Sequence, residues 1–268
     1  MSDGSNRQSE ILLEIADGVG TIMINRPDRR NSFTIDMLDP WHEAIEECRT
    51  NSDVRAVVLT GAGDEFFCGG GDTSKLGANV VVSPQIAKAE FEALHRIARG
   101  MRGLDKPSIA AVNGVASGAG MDMALHCDIR ILATHARMSI PYLRFGLYPG
   151  NGAAYFLPRI VGTAKALELI WSGQPIDSDE ALRLGLANKV APSDSLRHEV
   201  AKFAQMLVNS PPLALKLIRR GVYQSTDQSL DATLELTSSN MAITRTSADH
   251  AEAIAAYTEK RTPVFRGE

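Results

Sequence analysis

The stretch KPSIAAVNGVASGAGMDMALHCDIRILA, residues 106–133, carries the pattern that decides the fold. Its apolar run SIAAV, at 108–112, is typical of a strand that is buried on both faces. The small residues of NGVASGAG follow and lead into a helix, which we expect to end near Cys127. A further strand, DIRILA at 128–133, comes next. An alternation of strand and helix implies right-handed crossovers and a parallel or mostly parallel sheet.

The segments upstream extend this alternation. ILLEIADGVGTIMINRP, at 11–27, predicts a hairpin that turns at Asp17-Gly18. RAVVLT, at 55–60, reads as another buried strand, and it runs into the glycine-rich loop GAGDEFFCGGGDTSKL. A helix is predicted over 84–102.

Two N-terminal segments give weaker signals. Thr34 is expected to cap a helix that reaches about Thr50, with a kink or a late start because Pro40 lies inside it. Residues 1–9 are expected to be disordered. From Ala164 onward the chain shows successive helical patterns, so an α/β part is predicted to give way to a helical C-terminal part.

Composition excludes several classes of function. The 268 residues suit one large domain, and 44% hydrophobic and 22% charged residues are ordinary for a globular protein. The net charge of −4 gives no basic footprint, so neither a nucleic-acid partner nor a polybasic membrane contact is expected. No apolar run approaches the ~20 residues that span a bilayer. The polar N-terminus lacks a signal-peptide pattern, and a cytoplasmic location is expected.

The three cysteines, Cys48, Cys68 and Cys127, are too few and too irregularly spaced for a disulfide framework. They favour a reducing compartment. His126 adjoins Cys127, but no metal-ligand spacing accompanies the two residues, and no metal site is expected.

Two loops follow buried strands and lead into helices: Cys68-Gly69-Gly70-Gly71-Asp72 and Ser117-Gly118-Ala119-Gly120. Such a turn leaves backbone N–H groups unpaired, and small residues allow a ligand to approach them. Two N–H groups that converge would form an oxyanion hole. The glycines would also be explained by tight turns alone. Phosphate-loop, dinucleotide-loop and GxSxG patterns do not fit either loop.

Taken together, four segments resemble the enoyl-CoA hydratase/isomerase, or crotonase, superfamily: INRPDRRNSF (24–33), RAVVLTGAGDEFFCGGGDTSKL (55–76), KPSIAAVNGVASGAGMDMALHCDIRILA (106–133) and IPYLRFGLYPGNGAAYFLPRIVG (140–162). The resemblance implies an α/β fold of the ClpP/crotonase type, a spiral of ββα units with a helical C-terminal region. It implies a crotonase-like core over 1–190 and a helical trimerisation region over 191–268. A homotrimer or homohexamer and an acyl-CoA thioester substrate are implied as well, with no cofactor beyond the coenzyme A of that substrate.

The resemblance also assigns site residues. The amides that bind the thioester oxygen fall at Gly71 and Ala119. Contacts to substrate or coenzyme A fall at seven further positions: Arg29, Arg30, Gly69, Asp72, Gly118, Lys260 and Phe265. The arginines are candidates for phosphate contacts, although solvated surface charges are equally expected in such a loop. Lys260 and Phe265 match a pair that often reaches the coenzyme A of a neighbouring subunit.

The sequence departs from the family at the acids. Hydratases of the superfamily typically use two glutamates, and the matching positions here hold Asp122 and Tyr142. Asp122 lies among apolar residues, and a desolvated carboxylate has a raised pKa that suits proton transfer near neutrality. A favourable helix-dipole position is the alternative explanation. Tyr142 is either a hydrogen-bond donor near an anion or a pocket-lining residue. Asn151 and Arg144 are weaker candidates.

Three functions compete. The first is a 2-enoyl-CoA hydratase that uses Asp122. The second is an enoyl-CoA isomerase, or a hydrolase that cleaves a thioester or a cyclic β-ketoacyl-CoA. The third is an acyl-CoA-binding homologue with little catalysis. The acyl chain cannot be read from the pattern, because residues 73–100, which would line its pocket, show none that we can interpret.

Overall fold

The computed structural model describes residues 9–72 and 83–268. These residues form ten strands: β1 (Ile11–Ala16), β2 (Val19–Ile24), β3 (Ala56–Gly61), β4 (Phe66–Cys68), β5 (Ser108–Val112), β6 (Val115–Ser117), β7 (Ile129–Ala133), β8 (Arg137–Ser139), β9 (Ile176–Asp177) and β10 (Lys189–Ala191). They also form ten α-helices: α1 (Leu38–Thr50), α2 (Pro84–Gly103), α3 (Ala119–Leu125), α4 (Ala153–Val161), α5 (Thr163–Ser172), α6 (Ser178–Arg183), α7 (Leu196–Val208), α8 (Pro212–Ser225), α9 (Leu230–Arg245) and α10 (Ala248–Glu259).

The larger sheet has six strands in the order β1-β2-β3-β5-β7-β10. Strands β1 and β2 form the predicted antiparallel hairpin, and Asp17 and Gly18 both adopt positive φ in its turn. Every later pair in this sheet is parallel. Strands β3 and β5 are almost entirely buried, as their unbroken apolar runs indicated. The prediction of a mostly parallel sheet is therefore confirmed.

A second sheet of four short strands, in the order β4-β6-β8-β9, was not predicted. Strands β4, β6 and β8 run parallel, and β9 pairs antiparallel with β8. Each member has only two or three residues, so no alternation of polar and apolar residues can develop along it. This sheet matters for function, because β4 and β6 end directly at the two glycine loops.

Helices cover both sheets. Helix α1 packs against α2, and α7 packs against β3, β5 and β7 through an apolar face of Leu196, Val200, Ala204 and Leu207. Helix α1 begins at Leu38, after a 3-10 turn at Ile35–Met37, so the late start expected from Pro40 is observed. The chain continues as helices α8, α9 and α10, in line with the predicted helical C-terminal part. The division after residue 190 stays a prediction.

A half-buried ion pair attaches α8 to the core. The guanidinium of Arg219 contacts the Asp128 carboxylate at 2.9 Å and also donates to the carbonyl groups of Met101, Arg102 and Leu104, where α2 ends. The Tyr223 hydroxyl donates to the same carboxylate. Helix α8 is therefore held against the start of β7, where Asp128 lies. Among the described residues, no helix is both long and apolar enough to traverse a lipid bilayer.

Candidate active site

The two glycine loops lie against each other. A Cβ built on Gly70 would stand 2.8 Å from the Ser117 carbonyl oxygen and 3.5 Å from the Ala119 nitrogen. A Cβ on Gly120 would lie 2.0 Å from the carbonyl oxygen of Cys68, at the end of β4. Only glycine permits such an approach of one backbone to another. The glycines of these loops are therefore required by the close contact between the two backbones, and not only by tight turns.

Both proposed oxyanion amides lie on this junction. Gly71 forms an isolated bridge with Phe33, and the bonds of that bridge involve the Gly70 carbonyl and the Asp72 N–H, so they leave the Gly71 N–H free. Ala119 is the first residue of α3, where an N–H has no partner within the helix. Across residues 9–72 and 83–268, neither N–H group donates a hydrogen bond.

Gly118 sets the direction of the second amide. It has φ of 55° and ψ of −124°, a conformation that side chains disfavour, and it precedes the first turn of α3. Its own N–H donates to the Ser139 carbonyl of β8 at 2.9 Å. The loop is therefore tied to the small sheet immediately before the free Ala119 N–H.

Asp122 lies in the first turn of α3 and is 0% exposed. Its Oδ2 accepts a hydrogen bond of 2.7 Å from the Tyr142 hydroxyl, which reaches it from a 3-10 segment at Pro141–Phe145. Its Oδ1 has no hydrogen-bond partner of good geometry among the described residues. The structure thus joins the two residues that the resemblance assigned to the positions of the two glutamates, and it leaves one carboxylate oxygen available.

The electrostatics of this pair follow from burial. Desolvation raises the pKa of Asp122 to about 7, because removing the carboxylate from water disfavours the charged form. The Tyr142 hydroxyl and the nearby Asn151 N–H oppose that rise. Burial, together with the Asp122 charge, raises the pKa of Tyr142 well above its ordinary value. Tyr142 is therefore a donor at neutral pH, while Asp122 exchanges a proton readily.

The segment just before α4, at residues 150–152, packs beside Asp122 and Tyr142. Asn151 is fully buried, and its Nδ2 lies 3.5 Å from the sulfur of Met123. Its carbonyl accepts from Nε2 of the buried His126 at 2.8 Å, and the Gly150 carbonyl accepts from Nε2 of His95 at 2.9 Å. Sequence reasoning considered Asn151, weighed His126 only as a metal ligand, and missed His95. Arg144 is exposed, away from these contacts.

The residues assigned to coenzyme A lie in three places: the first glycine loop with the turn before it, Gly118 in the second loop, and the end of the chain. In the first place, Arg29 and Arg30 are exposed. The Arg30 carbonyl accepts from the Gly69 N–H at 2.9 Å, so the turn that carries the arginines is tied to the first glycine loop. The Asp72 carboxylate pairs with Arg26 at 3.2 Å.

The remaining two residues lie at the end of the chain. Lys260 follows α10 in a left-handed conformation, and the Phe265 carbonyl faces Arg55. No hydrogen bond or ion pair within the described ranges joins either of them to the two loops. The same ranges hold no cluster of three or more side chains suited to a metal ion.

Comparisons with known proteins identify the family of this chain and its fold. Residues 14–268 match the family model described as "Enoyl-CoA hydratase/isomerase". The chain is 35% identical to the short-chain-enoyl-CoA hydratase of Clostridium acetobutylicum, with 94% of this chain and 96% of that protein covered. It is 32% identical to the 1,2-epoxyphenylacetyl-CoA isomerase of Escherichia coli, with coverage of 96% and 98%. The crystal structure of an enoyl-CoA hydratase from Bacillus anthracis superposes with a TM-score of 0.91 at 28% identity, with coverage of 97% and 100%.

The fold and its two facing amide loops define an enzyme of the crotonase type. The chain belongs to the enoyl-CoA hydratase/isomerase family, whose members act on acyl-CoA thioesters.

Proposed function

We propose that this chain is a 2-enoyl-CoA hydratase that uses a single carboxylate, Asp122, as its base. The observation that carries the proposal is the state of that carboxylate. It is fully buried, one oxygen accepts from Tyr142, and the other has no hydrogen-bond partner of good geometry among the described residues. Its pKa of about 7 leaves a large ionised fraction at neutral pH. A base with that pKa is matched to proton transfer near neutrality.

One carboxylate suffices for hydration, because water supplies both groups that are added. The Asp122 carboxylate takes a proton from water as the water oxygen bonds to the β carbon. The π electrons move onto the thioester oxygen, where the N–H groups of Gly71 and Ala119 stabilise the enolate. The enolate then collapses, and the protonated Asp122 returns its proton to the α carbon. Tyr142 keeps its hydrogen bond to Oδ2 throughout and orients the carboxyl group.

Coenzyme A is proposed to lie along the first glycine loop. The bond between the Gly69 N–H and the Arg30 carbonyl supports this, because it holds the exposed Arg29 and Arg30 beside that loop. Arginine suits phosphate oxygens through paired donors. Gly69 and Asp72 are assigned to the adenine end, and Gly118 to the thioester region. Lys260 and Phe265 are proposed to act across a subunit boundary, since they belong to the C-terminal tail.

An isomerase is the second candidate. Shifting a double bond needs one base that removes a proton and returns it two carbons away, and the single carboxylate at Asp122 meets that need. The Escherichia coli relative, by name an isomerase of an epoxide and not of a double bond, is 32% identical, so isomerisation of an acyl-CoA is found among proteins this similar. Hydration and isomerisation differ in whether oxygen from water enters the product.

The deciding experiment uses crotonyl-CoA in ¹⁸O-labelled water. A hydratase places the label on the β carbon of 3-hydroxybutyryl-CoA, and mass spectrometry detects it. Turnover of a 3-enoyl-CoA without label would support the isomerase instead. Cleavage of a thioester or a 3-ketoacyl-CoA, or binding without turnover, would contradict both. Asp122→Asn should lower the rate by about 10²–10⁴, and Asp53→Asn, at an exposed aspartate, is the matched control.

The chain is further proposed to form a homotrimer or a dimer of trimers through residues 191–268. An apolar groove of ≈ 420 Å³ between α8 and α9 supports this. Exposed Ile218, Val222 and Met241 line it. Ultracentrifugation should give three or six chain masses, and Val222→Asp should lower that number.

We also propose an absence of further cofactors and a cellular location. No cofactor beyond coenzyme A is proposed, because hydration involves neither electron transfer nor a group carrier. A cytoplasmic location is proposed, since the three cysteines are free and buried, as expected in a reducing compartment.

A further inference from the structure

Two histidines hold successive carbonyl groups in the segment before α4. Nε2 of His95, on α2, lies 2.9 Å from the Gly150 oxygen, and Nε2 of His126, just after α3, lies 2.8 Å from the Asn151 oxygen. A carbonyl oxygen can only accept, so each Nε2 carries a proton. Neither histidine touches the proposed reacting atoms, and the mechanism above does not use them.

The N–H groups on the opposite side of this backbone segment face the hydrogen-bonded pair Asp122 and Tyr142. The N–H of Asn151 lies near enough to the Asp122 carboxylate to lower its pKa, and it falls short of a hydrogen bond of good geometry. The N–H of Gly150 approaches the Tyr142 hydroxyl oxygen and lowers its pKa in the same way. The site therefore has two successive amides directed at its two polar side chains.

Peptide planarity links the two sides. The Gly150 carbonyl and the Asn151 N–H belong to one peptide group, which is trans here, so they point in opposite directions. When His95 holds that carbonyl, it also fixes the direction of the Asn151 N–H. His126 holds the next peptide group, between Asn151 and Gly152, and prevents the pair of groups from rotating together.

The two imidazoles are themselves held in place. The His126 ring is 1% exposed and packs against Phe156 with 5.2 Å between ring centres. The His95 ring lies 6.3 Å from that of Phe91. The Phe91 ring also covers Gly150, where a Cβ would come within 2.4 Å of it. The backbone at 150–151 is thus confined between aromatic rings.

We propose that His95 is a positioning residue for Asp122: it fixes the peptide group whose N–H stabilises the carboxylate, and His126 secures the peptide that follows. Removing the His95 donor lets the Asn151 N–H turn away, so the charged form of Asp122 loses a stabilising contact. The protonated form then persists to higher pH.

The titratable groups around the carboxylate are few among the described residues. Tyr142 donates to it from the 3-10 segment. Cys68, on β4, faces Tyr142, and burial raises the pKa of its thiol to about 12. His126 lies four residues after Asp122, just beyond the end of α3. Burial lowers its pKa to about 4, so it is neutral near pH 7. His95 faces His126 from α2.

The test measures the titration of Asp122 directly. ¹³C-carboxyl-labelled aspartate is followed by NMR in the full chain, and the signal that disappears in Asp122→Asn is assigned to Asp122. His95→Phe keeps the ring beside Phe91 and removes the donor. It should raise the Asp122 pKa by about 0.5–1 unit, less than a well-aligned charge-assisted hydrogen bond would give, because the Asn151 N–H is not ideally aligned with the carboxylate. In His95→Gln, whose side chain can still donate to the Gly150 carbonyl, the Asp122 pKa should lie close to the wild-type value.

Kinetics supply a second readout, which rests on the proposed hydratase function. The acid limb of kcat/KM for crotonyl-CoA should move upward with the NMR titration in His95→Phe, while KM at pH 9 stays unchanged. His135→Phe, at an exposed turn between β7 and β8, should move neither. A folded His95→Phe protein with an unchanged Asp122 titration would overturn the proposal. If that variant does not fold, His95→Ala, at a half-buried position, carries the same prediction.

The two proposals fail in different ways. An enzyme that does not hydrate crotonyl-CoA would refute the hydratase assignment, yet its Asp122 titration would still respond to His95. An active hydratase whose titration ignores His95 would refute only the positioning role.

Discussion

Replacing Asp122 by asparagine should inactivate the protein and stabilise its fold above neutral pH. Burial raises the carboxyl pKa from 3.8 to about 7. A group whose pKa is raised on folding favours the folded state below its unfolded pKa, and this contribution is lost as pH rises through the folded value. At 1.36 kcal/mol per unit, a rise of roughly three units costs the native state about 4 kcal/mol once the carboxylate is ionised.

The pH dependence isolates this cost from other effects of the substitution. At pH 5 the native carboxyl is mostly protonated, and the same arithmetic gives a cost of only about 2 kcal/mol. The advantage of Asp122→Asn over the wild type should therefore grow by about 2–3 kcal/mol between pH 5 and pH 8. Any change in packing caused by the asparagine contributes nearly equally at both pH values and cancels in the difference.

Urea denaturation at pH 5 and pH 8 measures that difference, with Asp53→Asn as an exposed control. A difference in unfolding free energy between Asp122→Asn and the wild type that stays constant with pH would refute the raised pKa of Asp122. A native state that stabilises the anion would give the same constant difference, because a carboxyl whose folded pKa lies below 3.8 is ionised in both states across this range. That result would remove the physical basis for Asp122 as a base of near-neutral pKa.

Three further substitutions test the site. Tyr142→Phe removes the donor to Oδ2, so the Asp122 pKa and the acid limb of kcat/KM should rise by about one unit or more. An acid limb at the wild-type pH would show that this hydrogen bond does not affect the Asp122 pKa. Ala119→Pro removes one oxyanion donor at a helix position that tolerates proline, so kcat should fall by about 10²–10³. Ala119→Gly keeps the N–H and should stay near the wild-type rate. Equal kcat values for the two variants would show that the anion binds elsewhere. Gly120→Ala forces a Cβ to 2.0 Å from the Cys68 carbonyl and should lower the melting temperature sharply, whereas Gly103→Ala, where a Cβ meets nothing within 4 Å, should leave it unchanged.

Local signals in the sequence predicted the larger sheet well. The hairpin was identified because Asp17-Gly18 accommodates positive φ, and β3 and β5 because they are unbroken apolar runs. The smaller sheet escaped prediction because its strands have only two or three residues. Their existence depends on neighbouring strands and not on any pattern of their own.

The site divides in a similar way. The glycine loops and Asp122 stood out as small residues and a lone acid in apolar surroundings. The bond between Asp122 and Tyr142 joins positions twenty residues apart, and only the fold shows it. His95 could not be identified at all, since its partner is a backbone carbonyl 55 residues away, and a backbone atom leaves no mark in the sequence.

The central claim is that Asp122, with a pKa near neutrality, is the base that acts on an enoyl-CoA held by the two amides. The most direct test is the pH dependence of kcat/KM for crotonyl-CoA, which reports ionisations of the free enzyme. The expected result is an acid limb with a pKa of about 7 in the wild type and a loss of about 10²–10⁴ in rate for Asp122→Asn. Hydration by Asp122→Asn at the wild-type rate, or a wild-type rate that stays flat down to pH 5, would contradict the claim.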